Sequence, residues 1–469
     1  MSTELIDIIA MASLRLFLAV GVSALAWIGM GAAAEGPAPA PIVVKNQGFL
    51  PFADAPINYR SEDLSDPIAQ LQKRIDRGEV KLEYEPGHGY LRSVLRALRV
   101  SPTSQTLVFS KTSFQYPKID PERPRALYYN DDVYVGQVHN GKSLEFVSFD
   151  PMQGAIFYVL DEHKVTHPRF ERSELDCVQC HVAASTRGVP GVMLRSVYTK
   201  PSGVQAPQTP SYITGQESAL KDRWGGWFVT GKLGTPVHMG NTLLPEGTKP
   251  ADGATTTQFA SGAGPNPPDL KGKLDTGAYL TPYSDVVAHL VLAHQTQMHN
   301  LITQTNYQTR LALYAEDARN RKAGLPAGTI SDATRQQFER PAEQLVRYLL
   351  FTNEAPLEET VAGTSGFAEE FAARGPRDPQ GRSLRDFDLH TRIFRYPCSY
   401  LIYSEAFDAI PEPAKQYIYR RLFEILSGRE QGPEFAVLSG EERRAILEIL
   451  VATKPGLPEA WTQYVSRAQ

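Results

Sequence analysis

The residues with the clearest chemical signature are Cys177, Cys180 and His181, which stand in the order Cys-Val-Gln-Cys-His. Two cysteines three positions apart lie on the same side of a helical turn, so both thiols can reach one edge of a planar molecule. Each thiol can add to one vinyl group of a porphyrin, and the next residue then places its imidazole under the ring as an iron ligand. The spacing therefore predicts one covalently attached c-type haem, with His181 as the proximal ligand.

Two other uses of a Cys-x-x-Cys pair fit this chain less well. A thioredoxin-like redox pair would follow a β-strand, whereas the residues before Cys177 read Arg-Phe-Glu-Arg-Ser-Glu-Leu-Asp, which is typical of a polar helical turn. A structural zinc site would need a second pair of Cys or His ligands at short spacing, and none follows closely. The third cysteine, Cys398, lies in an apolar run, and we expect it to be buried and unreactive.

The Cys-x-x-Cys-His segment resembles the cytochrome c family, together with a downstream loop that contains Gly188, Pro190 and Gly191. In small cytochromes c a similar loop packs over the proximal side of the haem. The resemblance covers a short part of a much longer chain. The whole chain also looks like a group of large exported bacterial single-haem proteins, through segments such as Trp224-Gly-Gly-Trp227 and His238-Met-Gly-Asn241. These resemblances imply a haem and an exported location, and they imply no particular reaction.

The sixth ligand of the iron separates electron transfer from chemistry on a small molecule. Met239 is the first candidate, because its separation from His181 is similar to that of the axial Met in many small cytochromes c. His294 is the second, since it lies on the apolar stripe of a predicted helix, and His238, the neighbour of Met239, is the third. A single His or Met on such a stripe is more often a core residue than a ligand. Met193 stands too close to His181 in sequence to reach the other face of the ring easily.

The N-terminal residues predict export. Arg15 precedes an apolar run over 16–30, and three alanines ending at Ala34 form a small-residue site of the kind that signal peptidase cleaves. We expect a signal peptide over 1–34 and a periplasmic or otherwise exported protein, with an uncleaved N-terminal anchor as the alternative. No membrane span is predicted in the mature chain.

Charge and motifs narrow the classes of function. The net charge is −4 and the isoelectric point is near 6.2, so nucleic acid is not an expected partner. Metalloprotease, nucleophile-elbow and nucleotide-binding motifs do not occur, which leaves hydrolase and nucleotide functions without support. Dihaem peroxidases carry two Cys-x-x-Cys-His motifs, and this chain has one.

The motif and the charge of the chain are compatible with three functions. The favoured one is electron transfer to or from a redox partner protein, because a single motif with a Met or His downstream is most common in that setting. The second is a haem enzyme or sensor with an open distal site that acts on peroxide or a small gas. The third is a binding protein with an accessory haem, since most of the 469 residues lie outside the haem segment.

Hydrophobic periodicity predicts an α+β fold, with a small antiparallel sheet before a cytochrome c-like haem segment and a mainly helical C-terminal half. Helices are expected at 67–77 and 90–98, short strands between 106 and 160, and a further strand over 224–229. A polar loop is expected over 363–382, and the last predicted helix is 439–452, ended by Pro455 and Gly456. The expected organisation is a signal peptide over 1–34, an N-terminal α+β region over 35–165, a cytochrome c-like haem-binding region over 166–244, a loop or linker over 245–280, and a helical C-terminal region over 281–469.

Overall fold

The computed structural model describes residues 49–234, 237–245 and 265–468. The expected signal peptide, 1–34, lies outside the described residues. The predicted fold class is confirmed, because an antiparallel sheet in the N-terminal half is followed by a mainly helical C-terminal half. Within the described residues, we find no helix with the length and apolar character needed to cross a membrane.

The strands of the described residues are β1 (Thr106–Val108), β2 (Arg125–Tyr129), β3 (Val133–Gln137), β4 (Ser143–Asp150), β5 (Gly154–Asp161), β6 (Phe170–Arg172), β7 (Arg195–Val197), β8 (Ser211–Ile213) and β9 (Trp227–Phe228). Seven of them form one antiparallel sheet in the order β6-β5-β4-β3-β2-β1-β9. The other two, β7 and β8, form a separate antiparallel pair. The chain leaves the sheet at one edge, β6, and returns at the other edge, β9. The cysteines lie between these two strands, so their segment has to cross a face of the sheet.

Side chains of the sheet alternate between two faces, as the period of a β-strand requires. On β3, Val133 and Val135 join the core that includes helices α1 (Pro67–Asp76) and α2 (Leu91–Leu98). Tyr134 lies on the opposite face, in the core shared with the C-terminal helices. One face of the sheet is therefore covered by the N-terminal helices, and the other is available to the cysteine segment.

The remaining helices follow the sheet strands or lie in the C-terminal half. They are α3 (Leu175–His181), α4 (Val286–Ala323), α5 (Asp332–Leu349), α6 (Phe367–Ala373), α7 (Glu405–Asp408), α8 (Glu412–Leu426), α9 (Gly440–Thr453) and α10 (Glu459–Ala468). Helix α4 begins at an N-cap, where Asp285 accepts hydrogen bonds from two backbone amides, and it ends at Gly324 in the left-handed conformation. Its residues from Val286 to Tyr307 are buried on every side, so this helix forms the centre of the larger core.

Three local expectations differ from the structure. The predicted polar loop 363–382 contains helix α6, because Phe367 and Phe371, one turn apart, are both buried. A strand expected over 224–229 is reduced to Trp227–Phe228, since Trp224 has φ 67° and breaks the extended backbone. Helix α10 lies beyond the last predicted helix, 439–452, and is held to the core by the buried Trp461.

Candidate haem site

The Cys-Val-Gln-Cys-His residues form the last turns of the short helix α3. Cys177 is half-buried and packs against the larger core, whereas Cys180 is exposed. Both cysteines and His181 border the same cavity, whose volume is about 400 Å³. This is within the usual size range of small-molecule and cofactor sites. The structure thus brings together the three residues that the sequence placed at a haem.

The cavity lies between α3, the face of the sheet and helix α4. Its sheet wall is formed by β2 to β5, and Leu292 and Thr296 of α4 form another part. The segment that leads into β7 closes a third side. The side chains and backbone segments around it include Lys111, Ser113, Phe114, Arg125, Leu127, Tyr134, Gly136, Glu145, Val147, Phe157, Val159, Val192, Met193, Leu194 and Arg195.

One ring nitrogen of His181 is hydrogen-bonded and the other is not. Its Nδ1 donates to the carbonyl oxygen of Gly191 at 2.8 Å, and its Nε2 has no hydrogen-bond partner in the described part of the chain. The ring packs against Phe157, with 4.9 Å between the two ring centroids. Burial lowers the pKa of His181, so the neutral form with a free Nε2 lone pair is favoured. This is the form in which a histidine binds a metal.

The loop that accepts this hydrogen bond is fixed by helix α4. Asn300 accepts from the backbone amide of Val192 at 3.0 Å and donates to the carbonyl oxygen of the same residue at 2.7 Å. A Cβ atom at Gly191 would collide with Asn300 Oδ1, so the close approach requires glycine at this position. Asn300 therefore holds the residue next to the carbonyl group that orients His181.

The thiols of the half-buried Cys177 and the buried Cys398 have different surroundings. Burial raises the pKa of Cys177, and a hydrogen bond with Ser173 opposes this shift. Burial also raises the pKa of Cys398, which has no exposed surface and lies in the larger core. Cys398 is thus buried, as expected from the sequence, and only Cys177 and Cys180 reach the cavity.

A buried ion pair lies in the sheet wall of the cavity. Arg125 on β2 contacts Glu145 on β4 through Nη2, and it crosses β3 above Gly136. Glu145 also accepts hydrogen bonds from Ser113 at 2.5 Å and from Gln115 at 2.8 Å. The charge of Arg125 lowers the pKa of His181 and that of Glu145 raises it, although burial has the larger effect. The cavity therefore combines apolar walls with one oriented pair of charges.

The structure does not bring the three candidates for the sixth ligand to this cavity. Met239 is buried in a separate small cluster with Tyr198, Ala206 and Leu244, and Ser196 donates to its sulfur at 3.5 Å. It does not border the cavity that contains Cys177, Cys180 and His181.

Both alternative histidines use both of their ring nitrogens. His238 Nε2 donates to Asn266 at 2.9 Å, and its Nδ1 accepts from Gly240 at 3.0 Å. His294 Nδ1 donates to Gln216 at 2.5 Å, and its Nε2 accepts from Ser399 at 2.7 Å. Neither histidine has a free nitrogen for a metal, and neither borders the cavity.

Several residues at the cavity were not indicated by the sequence. Met193 borders it and accepts a hydrogen bond from Ser185 at 3.2 Å, although the sequence predicted that it lies too close to His181 to serve the far face. Neither Arg125 nor Glu145 was singled out by the sequence. Alternation within β2 and β4 could have placed each on one face, but the register between strands was needed to pair them.

Comparison with known proteins finds no relative that indicates a function. No protein-family model matches the chain, and neither a curated protein nor a solved structure shows detectable similarity to it. Among the described residues, no group of three or more His, Cys, Asp or Glu side chains is arranged to hold a bare metal ion. A haem needs fewer protein ligands, because the porphyrin supplies four nitrogens to its iron.

The residues present fit a haem. Two thiols and a free imidazole nitrogen meet at the cavity, beside the apolar side chains of Phe157 and Leu292. Arg125 Nε is a buried donor with no hydrogen-bond partner, which suits a carboxylate of the kind that a haem carries. The exposure of Cys180 would leave one edge of the group near the surface.

Proposed function

We propose that this protein is an exported, periplasmic c-type cytochrome that binds one haem and exchanges electrons with a redox partner protein. The observation that carries the proposal is the position of His181, whose free Nε2 lies at the same cavity as the thiols of Cys177 and Cys180. A bound haem supplies an iron that changes between the Fe(II) and Fe(III) states.

Different residues of the chain would attach the haem, bind its iron and shield it from water. Cys177 and Cys180 would hold the haem through thioether bonds; each thiol would add across one vinyl group, with sulfur and hydrogen going to the two vinyl carbons, so no oxidant would be consumed. His181 would hold the iron through Nε2, and Gly191 and Asn300 fix the orientation of its ring. Phe157 and Leu292 exclude water from the apolar part of the cavity.

The surface around the cavity supports electron exchange. Cys180 is exposed, and Phe114, which also borders the cavity, has 54 % of its surface exposed. A partner that docks against this side would approach the attached edge of the haem without rearrangement of the core. Three cationic side chains, Lys111, Arg125 and Arg195, and two anionic ones, Glu145 and Asp176, border the same cavity, so positive charge exceeds negative charge there by one.

A second candidate function is a haem enzyme or sensor with an open sixth position that acts on peroxide or a small gas. It is favoured by the absence of Met239, His238 and His294 from the residues around the cavity. Met193 borders the cavity, and it lies two residues after Gly191, whose carbonyl oxygen accepts a hydrogen bond from His181 Nδ1. So short a segment favours a position for Met193 on the same side of a bound haem as His181.

The test is expression with haem-maturation machinery, followed by a haem stain after denaturing electrophoresis and by spectra with and without carbon monoxide. We expect covalent haem in the wild type and in Cys398→Ala, and none in the double variant C177A/C180A. A reduced spectrum that carbon monoxide leaves unchanged supports electron transfer, whereas ready binding of carbon monoxide supports the second function. A wild-type protein without covalent haem would contradict both.

A further inference from the structure

The side chain of Arg125 has an unusual position in the wall of the cavity. It is 18 % exposed and lies across β3, where Gly136 leaves room for it. A Cβ atom at position 136 would collide with Arg125 Nη2. The absence of a side chain at Gly136 therefore allows a guanidinium group to lie flat on the sheet, between β2 and β4.

Glu145 orients this guanidinium group and is itself held in place. Its carboxylate is 11 % exposed and contacts Arg125 through one oxygen, while Ser113 and Gln115 donate to the other. A carboxylate with donors on both oxygens has little freedom to turn. The arginine therefore keeps one orientation before any ligand arrives, which is the condition for tight binding at low entropic cost.

The guanidinium group retains an unused donor. Arg125 Nε is buried and has no hydrogen-bond partner, and it is the side-chain donor with this property among the described residues that border the cavity. The other two cations there have partners, since Lys111 donates to the carbonyl oxygen of Tyr116 at 3.3 Å and Arg195 donates to Ser211 at 3.0 Å. A buried donor without a partner costs free energy, so the site favours an acceptor.

We propose that Arg125 is an anion-binding residue of this cavity, whose Nε donates to a carboxylate of the haem or to a small anion bound beside it. The inference rests on the proposed haem function. Both ligands present the same chemistry, an anionic acceptor of a charge-assisted hydrogen bond. They differ in source, because one belongs to the cofactor and the other arrives from solution.

The test compares the wild-type haem protein with the double variant R125L/E145Q. The second substitution is included because Arg125→Leu alone would leave a buried, unpaired carboxylate at Glu145. Arg195→Leu is the control for loss of a positive charge at the same cavity, since it leaves the Arg125–Glu145 pair intact. Circular dichroism and the haem stain establish that each variant is folded and loaded.

Two measurements distinguish the sources of the anion. The first is the affinity of the oxidised protein for azide, and the second is the midpoint potential of the haem as a function of pH. If the anion comes from solution, the double variant binds azide at least about tenfold more weakly than the wild type. If it is a haem carboxylate, azide affinity is unchanged and the midpoint potential of the double variant becomes dependent on pH near neutrality, because the carboxylate loses the charge that keeps it ionised.

The outcomes that would overturn the inference are separate from those that would overturn the proposed function. If the loaded double variant matches Arg195→Leu in both measurements, Arg125 does not bind an anion there, although the haem function stands. If the wild type carries no covalent haem, the proposed function fails and the inference fails with it. Where the wild type binds no azide at all, the potential measurement decides.

Discussion

His181 and His294 show how two histidines of one chain, the first half-buried and the second fully buried, come to have different uses. His181 makes one hydrogen bond, to Gly191, and keeps its Nε2 free at a cavity. His294 lies in the centre of the core, bonded to Gln216 and Ser399, and its ring stacks on Phe351 with 4.4 Å between centroids. The availability of a histidine as a metal ligand is therefore decided by its hydrogen-bond partners, and position on an apolar stripe does not reveal them.

The largest effects are expected when the imidazole rings of His181 and His294 are removed in turn. We expect His181→Ala to abolish normal haem ligation in the absorption spectrum. His294→Ala should leave that spectrum unchanged and lower the free energy of unfolding by about 3 kcal/mol, because buried groups of Gln216 and Ser399 lose their partner. Spectra and urea denaturation measure the two effects. A changed haem spectrum in His294→Ala would show that this histidine reaches the iron.

A smaller effect is expected at Asn300, which connects helix α4 to the loop beside His181. Asn300→Ala should lower the free energy of unfolding by about 2 kcal/mol, because the buried amide and carbonyl groups of Val192 lose their partners. It should also alter the ligand-field bands of the haem, since Gly191 is no longer held. Asn300→Asp should not restore them, because its second carboxylate oxygen would face the carbonyl oxygen of Val192 at a buried position. Loss of stability with an unaltered spectrum would mean that Asn300 supports the fold alone.

The burial of His294 should also affect the stability of the protein in acid. Burial lowers the pKa of His294 from 6.5 to about 3, so the unfolded chain binds one more proton than the folded chain between these values. Stability is therefore lost as the pH falls from 6.5 toward 3, by up to about 1.4 kcal/mol per pH unit for this group. His294→Gln should reduce that slope in urea denaturation between these limits. An unchanged slope would show that His294 does not remain neutral in the fold.

The smallest effect is expected at Met239, which ranked first as a sixth ligand by sequence. Met239→Leu replaces one apolar side chain by another of similar volume in a small cluster, so we expect a loss of less than about 1 kcal/mol. The haem spectrum and the midpoint potential should not change. A shift to high spin in this variant would restore Met239 as the ligand and contradict its placement here.

Much of the fold followed from local signals. Alternation and turn residues located the strands between Thr106 and Asp161, and the apolar stripe that includes His294 located the long helix α4. Helix α6 was missed because Phe367 and Phe371 are separated by polar and small residues, which weakens the periodicity. Their burial depends on the core that they join, and that core is built from distant parts of the chain.

Elements that depend on neighbours along the chain could be predicted from the sequence. They include the strands, the long helix, and Cys177, Cys180 and His181. Their spacing within one helical turn is enough to bring two thiols and an imidazole to one place. The tertiary structure alone decided what surrounds them: the crossing of Arg125 over Gly136 to Glu145, and the separation of Met239 from the cavity. These features depend on strand register and on packing between residues far apart in sequence, which no local spacing encodes.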